Sequence, residues 1–221
     1  MCGRFVLFSD LSHIQLAFDL DAVNVKVEPS YNIAPTHSVA AVVQRAGSKT
    51  LELMRWGLIP SWAKDENIGS KMINARAETV AEKPSFKRPL IKQRCVVVAD
   101  GFYEWGTEEK KKTPMFIRLK SNELFGFAGL YDTWTSPEGK TITSCTIITT
   151  SANELMKPIH ERMPVILSKE AQRTWLDAEV QNAGELVTLL QAYPADEMQT
   201  YPVSPLVNSP KNNSAECIRP V

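Results

Sequence analysis

Short runs of Val, Ile, Thr, Phe and Trp, separated by turn residues, constrain the fold of this chain more than any other feature. Runs of this kind predict β-strands. They do not alternate regularly with helical segments, so a doubly wound parallel sheet is a poor fit and a mainly antiparallel α+β domain is expected. The predicted strands span residues 3–7, 39–44, 50–56, 94–99, 102–105, 115–119, 124–130, 141–149 and 164–167.

The sequence predicts fewer helices, all of them short. Leu11, Ile14 and Phe18 recur at intervals of three and four residues, which indicates an amphipathic helix. Other helix starts are indicated by capping residues. These are Ser151 with Glu154, in a segment that Pro158 would end, then Ser168, and finally Asn182 with Glu185.

The composition limits both the architecture and the function. The 221 residues include 25 Lys plus Arg and 25 Asp plus Glu, and this net charge of zero argues against a generally polycationic nucleic-acid binder. Hydrophobic residues form 43% of the chain, which excludes global disorder. There is no internal repeat, Gly/Ser linker, membrane-length apolar stretch or signal-peptide pattern. One cytoplasmic domain over residues 1–221 is expected, with no membrane association.

The four cysteines Cys2, Cys95, Cys145 and Cys217 are far apart in the sequence and form no closely spaced pair. A structural zinc site would need such pairs, so no metal is expected. Free thiols in a reducing compartment are the simpler interpretation. No motif indicates an organic cofactor.

Cys2 is the residue with the most distinctive chemistry. Removal of Met1 would leave a terminal cysteine with a free α-amine and a thiol two carbons apart. An aldehyde could form an imine with the amine, and the thiol could then close a five-membered thiazolidine ring, helped by intramolecular proximity. The alternative is a cysteine in a disordered tail. A predicted strand directly after it argues for a fixed terminus.

Three further segments carry candidate site residues. In the segment 72–78, Asn74, Arg76 and Glu78 alternate with alanines, which suits phosphate contact, although a helix capped by Asn74 would explain the same pattern. In 99–105, Glu104 stands among aromatic residues, where desolvation would raise its pKa toward that of a general acid. The alternative is an edge-strand carboxylate in water. In 157–164, two prolines make the segment around His160 rigid. His160 could transfer protons there, or could be merely structural.

Two surface features suggest nucleic-acid binding. Trp62 ends a Gly- and Pro-containing segment, where an exposed indole could stack on an unpaired base, although most tryptophans lie in the core. Residues 83–94 contain five basic residues, which could follow a phosphate backbone or form an ordinary solvated helix face.

Together these segments form a set of motifs that spans nearly the whole chain in order. They are MCGRF at 1–5, YNIAPT at 31–36, RWGLIPSW at 55–62, INARAET at 73–79, ADGFYEW at 99–105, ITTSAN at 148–153 and IHERMP at 159–164. This set resembles the SRAP family, the SOS-response-associated peptidases, also described as abasic-site processing proteins. The chain is similar to its short bacterial members. The resemblance implies an α+β single domain with a mainly antiparallel, barrel-like β core and a few short flanking helices.

The resemblance also implies a DNA-damage function and a role for each matching residue. Cys2 would attack the ring-opened aldehyde of an abasic site in single-stranded DNA and form a thiazolidine DNA–protein crosslink. Asn74 would position the amine or the sugar, Glu104 would act as general acid and base, and His160 would assist proton transfer. Some lyase activity through the Schiff base is implied, and the peptidase label would correspond to loss of residues before Cys2.

The residues implied in DNA binding form a second group. Three arginines would hold the flanking phosphates, and two tryptophans would lie against bases or sugar. They are Arg4, Arg76 and Arg162, with Trp62 and Trp105. The partner would be single-stranded DNA containing abasic sites, bound by a monomer that joins the nucleoid when on DNA.

Two alternatives remain open from the residues alone. The first is a thiol peptidase in which Cys2 is the nucleophile and His160 the base. The second is a non-catalytic single-strand-binding module that uses Trp62 and the basic residues of 83–94.

Overall fold

The computed structural model describes residues 2–108 and 111–221, so Met1 lies outside the described residues. The strands are β1 (Phe5–Leu7), β2 (Ala22–Val23), β3 (Ser30–Ile33), β4 (Ser38–Arg45), β5 (Ser48–Trp56), β6 (Asn74–Arg76), β7 (Arg94–Ala99), β8 (Gly101–Glu108), β9 (Lys111–Leu119), β10 (Phe125–Thr135), β11 (Thr141–Ser151), β12 (Arg162–Pro164), β13 (Ile166–Leu167) and β14 (Met198–Pro202). The α-helices are α1 (Leu11–Ala17), α2 (Pro84–Lys92), α3 (Lys169–Leu176) and α4 (Ala183–Thr188).

A closed ring of five strands forms the centre of the molecule. The antiparallel pairs are β4 with β5, β4 with β7, β7 with β10 and β10 with β11. The ring closes where β11 pairs in parallel with β5, with Cys145 opposite Trp56. This confirms the α+β fold with a mainly antiparallel, barrel-like core. Closure leaves these five strands without a free edge between them.

A second sheet has the order β14-β9-β8-β1-β3 and packs on the barrel. Phe5 of β1 contacts Trp56 and Phe127 of the barrel edge-to-face, with ring centroids 5.1 and 5.8 Å apart. Buried residues from both sheets belong to one large core cluster, which makes the molecule a single domain. A smaller cluster on the other face of the sheet holds Tyr103 and Phe116 against Val207. No helix in the described ranges is long and apolar enough to cross a bilayer.

Every predicted strand coincides with an observed one, and three of the predicted helices are confirmed. Ser168 caps α3 by accepting a hydrogen bond from the N–H of Ala171, and Asn182 caps α4 in the same way through Gly184. The basic segment 83–94 contains the helix α2, which was one of the two alternatives for this segment. Its apolar residues Phe86 and Leu90 are buried and its basic residues are exposed.

The helix predicted to begin at Ser151 is wrong. Ser151 ends β11, and residues 154–159 form consecutive turns. The side chain of Asn153, rather than that of Ser151, caps this segment by accepting from the N–H of Met156 at 3.0 Å. Pro158 has no N–H for the next helical bond, so the segment does not extend into a helix.

The motif RWGLIPSW closes the barrel and places the segment that follows. The N–H of Gly57 donates to the carbonyl of Cys145 at 2.8 Å, and the indole N–H of Trp56 donates to the carbonyl of Ile73 at 2.9 Å. Gly57 has φ +126°, and a Cβ built on it would lie 2.5 Å from the carbonyl oxygen of Gly69. Only glycine meets both demands, because its backbone reaches this conformation and it has no Cβ.

We expect Gly57→Ala to lower the free energy of unfolding by about 2 to 5 kcal/mol, the sum of backbone strain and overpacking. Gly139→Ala is the matched control, since Gly139 also has positive φ but its Cβ would meet nothing within 4 Å. It should cost only about 1 kcal/mol. Urea denaturation of both variants measures the difference, and equal losses would contradict the role of the Gly57–Gly69 approach.

Candidate active site

Cys2 is fully buried although it is close to the start of the chain. It precedes β1, which lies between β3 and β8, so that Phe5 is opposite both Ile33 and Phe102. The N–H of Tyr103 also donates to the carbonyl of Arg4 at 2.9 Å. A strand bonded on both sides holds the residues just before it, so the alternative of a disordered tail is wrong from Cys2 onward.

Glu104 lies on β8, an interior strand of the sheet, and only 6% of it is exposed. The alternative of an edge-strand carboxylate in water is therefore wrong. Burial raises the pKa of Glu104, and the charge of His160 acts in the opposite direction. Burial also raises the pKa of the Cys2 thiol, and the charge of Glu104 raises it further. The structure thus brings Cys2 and His160 each within electrostatic reach of Glu104.

His160 follows the turns 154–159 and is held in one orientation. Its Nδ1 accepts a hydrogen bond from the backbone N–H of Arg162 at 2.9 Å. In the neutral imidazole an accepting Nδ1 requires that the proton be on Nε2. In this tautomer Nε2 of His160 is a hydrogen-bond donor.

Asn74 begins β6, which pairs in parallel with β11. The alternative of a helix capped by Asn74 is therefore wrong. Its Nδ2 donates to the carbonyl of Ile73 at 3.0 Å. Its Oδ1 is buried and accepts no hydrogen bond from any described residue. A buried amide oxygen without a donor is costly, so Oδ1 of Asn74 is an acceptor whose hydrogen-bonding capacity is unused in this structure.

Arg162 is largely enclosed, with 12% of its side chain exposed, and forms a two-pronged ion pair with Glu78 at 2.6 and 2.8 Å. Its Nη2 also donates to the carbonyl of Thr149 at 2.7 Å. The pairing holds the pKa of Glu78 below its ordinary value. Because the N–H of Arg162 also orients His160, this pair ties the His160 segment to the turn that follows β6. Arg76 at the end of β6 is exposed.

Arg4 and Trp105 lie together against the C-terminal segment. The guanidinium of Arg4 is 5.8 Å from the centre of the Trp105 ring and donates to Asn32 and to the carbonyl of Val207 at 2.7 and 2.6 Å. The indole of Trp105 donates to Asn208 at 2.8 Å. Strand alternation places Trp105 on the face of β8 opposite Glu104. The contacts seen for both side chains are internal, and their contact with DNA stays a prediction.

Trp62 lies on the loop after β5 and is 60% exposed. The preceding Ser61 accepts a hydrogen bond from Arg88 of α2 at 3.2 Å, so the indole and the basic helix are neighbours. This juxtaposition was not predicted, because nothing in either segment indicates contact with the other. In the part of the chain that the structure describes, no three His, Cys, Asp or Glu side chains gather as metal ligands.

Sequence reasoning gave no role to Thr149 or Asn32 and named Glu78 only as a member of the segment 72–78, although each lies within a quoted motif. Glu78 and Thr149 hold Arg162, as described above. The amide of Asn32 donates to three carbonyls of the C-terminal segment, those of Val207, Ser209 and Asn212. The only sequence signal for these residues is a polar side chain inside a strand-like or turn segment, and it does not identify the partner.

Comparison with known proteins gives consistent results. A model of the family described as SOS response associated peptidase (SRAP) matches residues 1–210. The abasic site processing protein YoqW of Bacillus subtilis (strain 168) is 53% identical over 221 residues, which cover 99% of each chain. The abasic site processing protein HMCES of Gallus gallus is 36% identical over 228 residues, covering 89% of this chain and 67% of its own. A crystal structure of a protein from Bacteroides thetaiotaomicron has a TM-score of 0.91 and 27% identity, with full coverage of both chains.

The raised pKa of Glu104 predicts a specific dependence of stability on pH. A carboxyl with a raised pKa in the fold binds a proton more tightly there than in the unfolded chain, where its pKa is about 4.3. Its stabilising contribution is complete below that value and is lost as the pH rises through the folded pKa. Glu104→Gln removes this loss, so the stability of the variant relative to the unsubstituted protein should increase from pH 4 to pH 8.

Urea midpoints across this pH range measure the effect. Glu179→Gln, at an exposed glutamate, is the control for the change in net charge and should show no such trend. A relative stability of Glu104→Gln that stays constant or falls with pH would contradict the desolvation of Glu104.

Proposed function

The chain belongs to the SRAP family, and from this premise we propose that it processes abasic sites in single-stranded DNA by covalent capture at Cys2 after Met1 is removed. One observation supports this most directly. Cys2 is fully buried beside a carboxyl whose pKa is raised and which interacts with His160. A terminal aminothiol next to a proton donor and acceptor is what an aldehyde needs for stable capture.

The proposed chemistry has two steps. The α-amine of Cys2 adds to C1′ of the ring-opened sugar, and loss of one water molecule gives an imine. The thiol sulfur then adds to the same carbon, and its proton ends on the nitrogen, which closes the thiazolidine. No oxidant or reductant is needed. Ring closure is intramolecular and therefore has a high effective molarity.

Glu104 and His160 are assigned to the proton transfers. A protonated Glu104 would donate to the departing water, and the resulting carboxylate would accept the thiol proton during ring closure. The thiol needs this base, because burial and the charge of Glu104 raise its pKa. His160, with its proton on Nε2, would donate to the oxygen of the opened sugar. Asn74 would accept a hydrogen bond from the amine through its buried Oδ1.

Phosphate binding is assigned to Arg76, Arg162 and Arg4, and stacking to Trp62 and Trp105. Arg76 is exposed, so its guanidinium can reach a phosphate directly. Arg162 and Arg4 have the internal partners described above and would have to share or exchange them on binding. The protein is proposed to act as a monomer on DNA.

The exposed face of α2 is proposed to extend the DNA track beyond Trp62. The exposed residues Lys83, Lys87, Arg88 and Lys92 are all basic, and Arg88 contacts the residue before Trp62. An exposed aromatic ring beside a row of cations is typical of surfaces that bind single strands without sequence preference. A non-catalytic binding module would share this surface and would not need Cys2.

Two further activities follow from the same site. The imine acidifies the neighbouring C2′ proton, so elimination of the 3′ phosphate gives a lyase activity that competes with ring closure. A peptidase would need Cys2 as a thiolate near neutral pH. Because burial raises the pKa of this thiol, the site favours a thiol that acts after imine formation over a primary cysteine nucleophile.

Cys2→Ala should lower the yield of heat-stable adduct with abasic single-stranded DNA by roughly 100-fold or more, since the ring-closing thiol is lost. The amine remains, so a Schiff base that borohydride can trap should persist and strand cleavage should increase. A denaturing gel of tag-free protein with uracil-containing DNA, with and without a glycosylase, measures all three products.

Cys217→Ala is the matched control, because Cys217 is also a buried free thiol but belongs to the smaller core cluster. It should form the adduct as the unsubstituted protein does. A full yield of heat-stable adduct from Cys2→Ala would refute the thiazolidine, and turnover of unrelated peptides that depends on both Cys2 and His160 would support the peptidase instead.

Lys87→Gln with Arg88→Gln should weaken binding to undamaged single-stranded DNA and reduce its salt dependence. Each lost phosphate contact lowers the slope of log affinity against log salt by about 0.7, so the pair should lower it by about 1.4. The control is Lys169→Gln with Arg173→Gln, an exposed basic pair on α3. Fluorescence anisotropy over salt concentrations from about 50 to 300 mM measures these slopes. Equal slopes for the α2 and α3 double variants would contradict DNA binding along α2.

A further inference from the structure

An apolar groove of about 440 Å³ lies beside the candidate active site. One wall is formed by Gly106 and Met115 of the β8–β9 hairpin, another by Leu155 and Ile159 of the turns 154–159, and the third by Thr200 of β14. The size is within the range of pockets that hold small organic groups. No function discussed so far uses this groove.

The groove adjoins two of the proposed catalytic residues. Met115 is directly opposite Glu104 in the β8–β9 register, so their side chains lie on the same face at neighbouring positions. Gly106 is two residues beyond Glu104 on that face. Ile159 directly precedes His160. A group bound in the groove would therefore be next to the atoms that Glu104 and His160 protonate.

The chemistry of the walls limits what can bind. None of the lining residues is charged, so the groove does not suit a phosphate or a sugar phosphate. Its surface is mostly aliphatic and thioether, with two hydroxyls, those of Thr113 and Thr200. Oγ1 of Thr200 is buried and has no hydrogen-bond partner among the described residues. An uncharged, flat group with polar edges fits these walls better than any ion.

We propose that this groove binds the unpaired nucleobase next to the abasic site, an assignment that rests on the proposed function. The groove is next to Glu104, since Met115 of its wall lies opposite Glu104 in the sheet. Single-stranded DNA offers an unpaired base one nucleotide away from the baseless sugar. Binding of that base would fix the distance from the DNA strand to Cys2 and would hold the baseless sugar next to Glu104. Thr200 would then hydrogen-bond the edge of the base.

The test fills the groove without changing the catalytic residues. Gly106 is not among the glycines with positive φ, and a Cβ there would meet Ile159 and Met115 only at 3.8 Å. Gly106→Val should therefore fold at least as well, since valine favours strands, and its methyls should occupy the space of the base. Gly106→Ala is the matched control, which adds a single carbon. Thr113→Ile blocks the groove from the neighbouring strand as a second, independent variant.

Three oligonucleotides each carry one abasic site. In the first, ordinary nucleotides flank the site on both sides, and in the other two a tetrahydrofuran residue replaces the flanking nucleoside on the 5′ or on the 3′ side. Tetrahydrofuran lacks both the base and the aldehyde. We expect Gly106→Val and Thr113→Ile to raise the DNA concentration for half-maximal crosslinking rate about tenfold on fully flanked DNA, with Gly106→Ala near the unsubstituted protein. On the oligonucleotide lacking the bound base, the unsubstituted protein should lose the same tenfold and the variants nothing further.

The outcomes separate this proposal from the function on which it rests. If the unsubstituted protein forms no adduct, both fall. If it forms the adduct but both groove-filling variants match it on every oligonucleotide while their melting temperatures are unchanged, only the groove assignment is overturned. An equal effect of the variants with and without the flanking base would also overturn it, and would indicate that the substitutions act on the neighbouring Glu104 rather than on a bound base.

Discussion

The insertion of β1 between β3 and β8 is the interaction on which the candidate site depends. Three residues of this strand bond to neighbours from distant parts of the sequence, and Phe5 anchors it against the barrel through Trp56 and Phe127. Terminal residues usually fray because few contacts hold them. Here the reverse holds, and Cys2 is fully buried in fixed surroundings. Without this insertion, Cys2 would not lie within electrostatic reach of Glu104.

The two faces of β8 contact different parts of the molecule. The face with Glu104 leads to Cys2 and to the apolar groove, whereas the face with Tyr103 and Trp105 packs on the C-terminal segment. A strand can serve both purposes because successive side chains point in opposite directions. The ion pair of Arg162 with Glu78 has a similar double role, since it joins two segments and also fixes the backbone that orients His160.

The strands and the residues of the site could be predicted from the sequence to different degrees. Runs such as 94–99 predict strands because β-branched residues and burial agree there, and the aromatic residues in 99–105 predict the desolvation of Glu104. The helix predicted from Ser151 to Pro158 is wrong because Asn153 caps the segment instead, and only turns form before Pro158. The short strands β2, β3, β6 and β14 lack an apolar run and form only through their partners.

The partners of the site residues could not be predicted from local pattern at all. That Arg162 would pair with Glu78, that Arg88 would meet Ser61, or that β11 would close the barrel on β5 depends on contacts between residues far apart in the chain. Family resemblance identified which residues belong together, but it did not show that Arg4 and Arg162 already have partners. Those partners decide how freely each arginine can turn toward DNA.

The contact of Arg4 with the carbonyl of Val207 joins residues 203 positions apart. Asn32 is tied to the same segment. The pairings of β1 with β3 and β8 can form once residues 30–33 and 101–102 have been synthesised. The hydrogen bonds of Arg4 and Asn32 to Val207 have to wait for a residue about one hundred positions further along the chain. The surroundings of the first strand are therefore completed in two stages, the sheet first and its cover from residues 207–212 later.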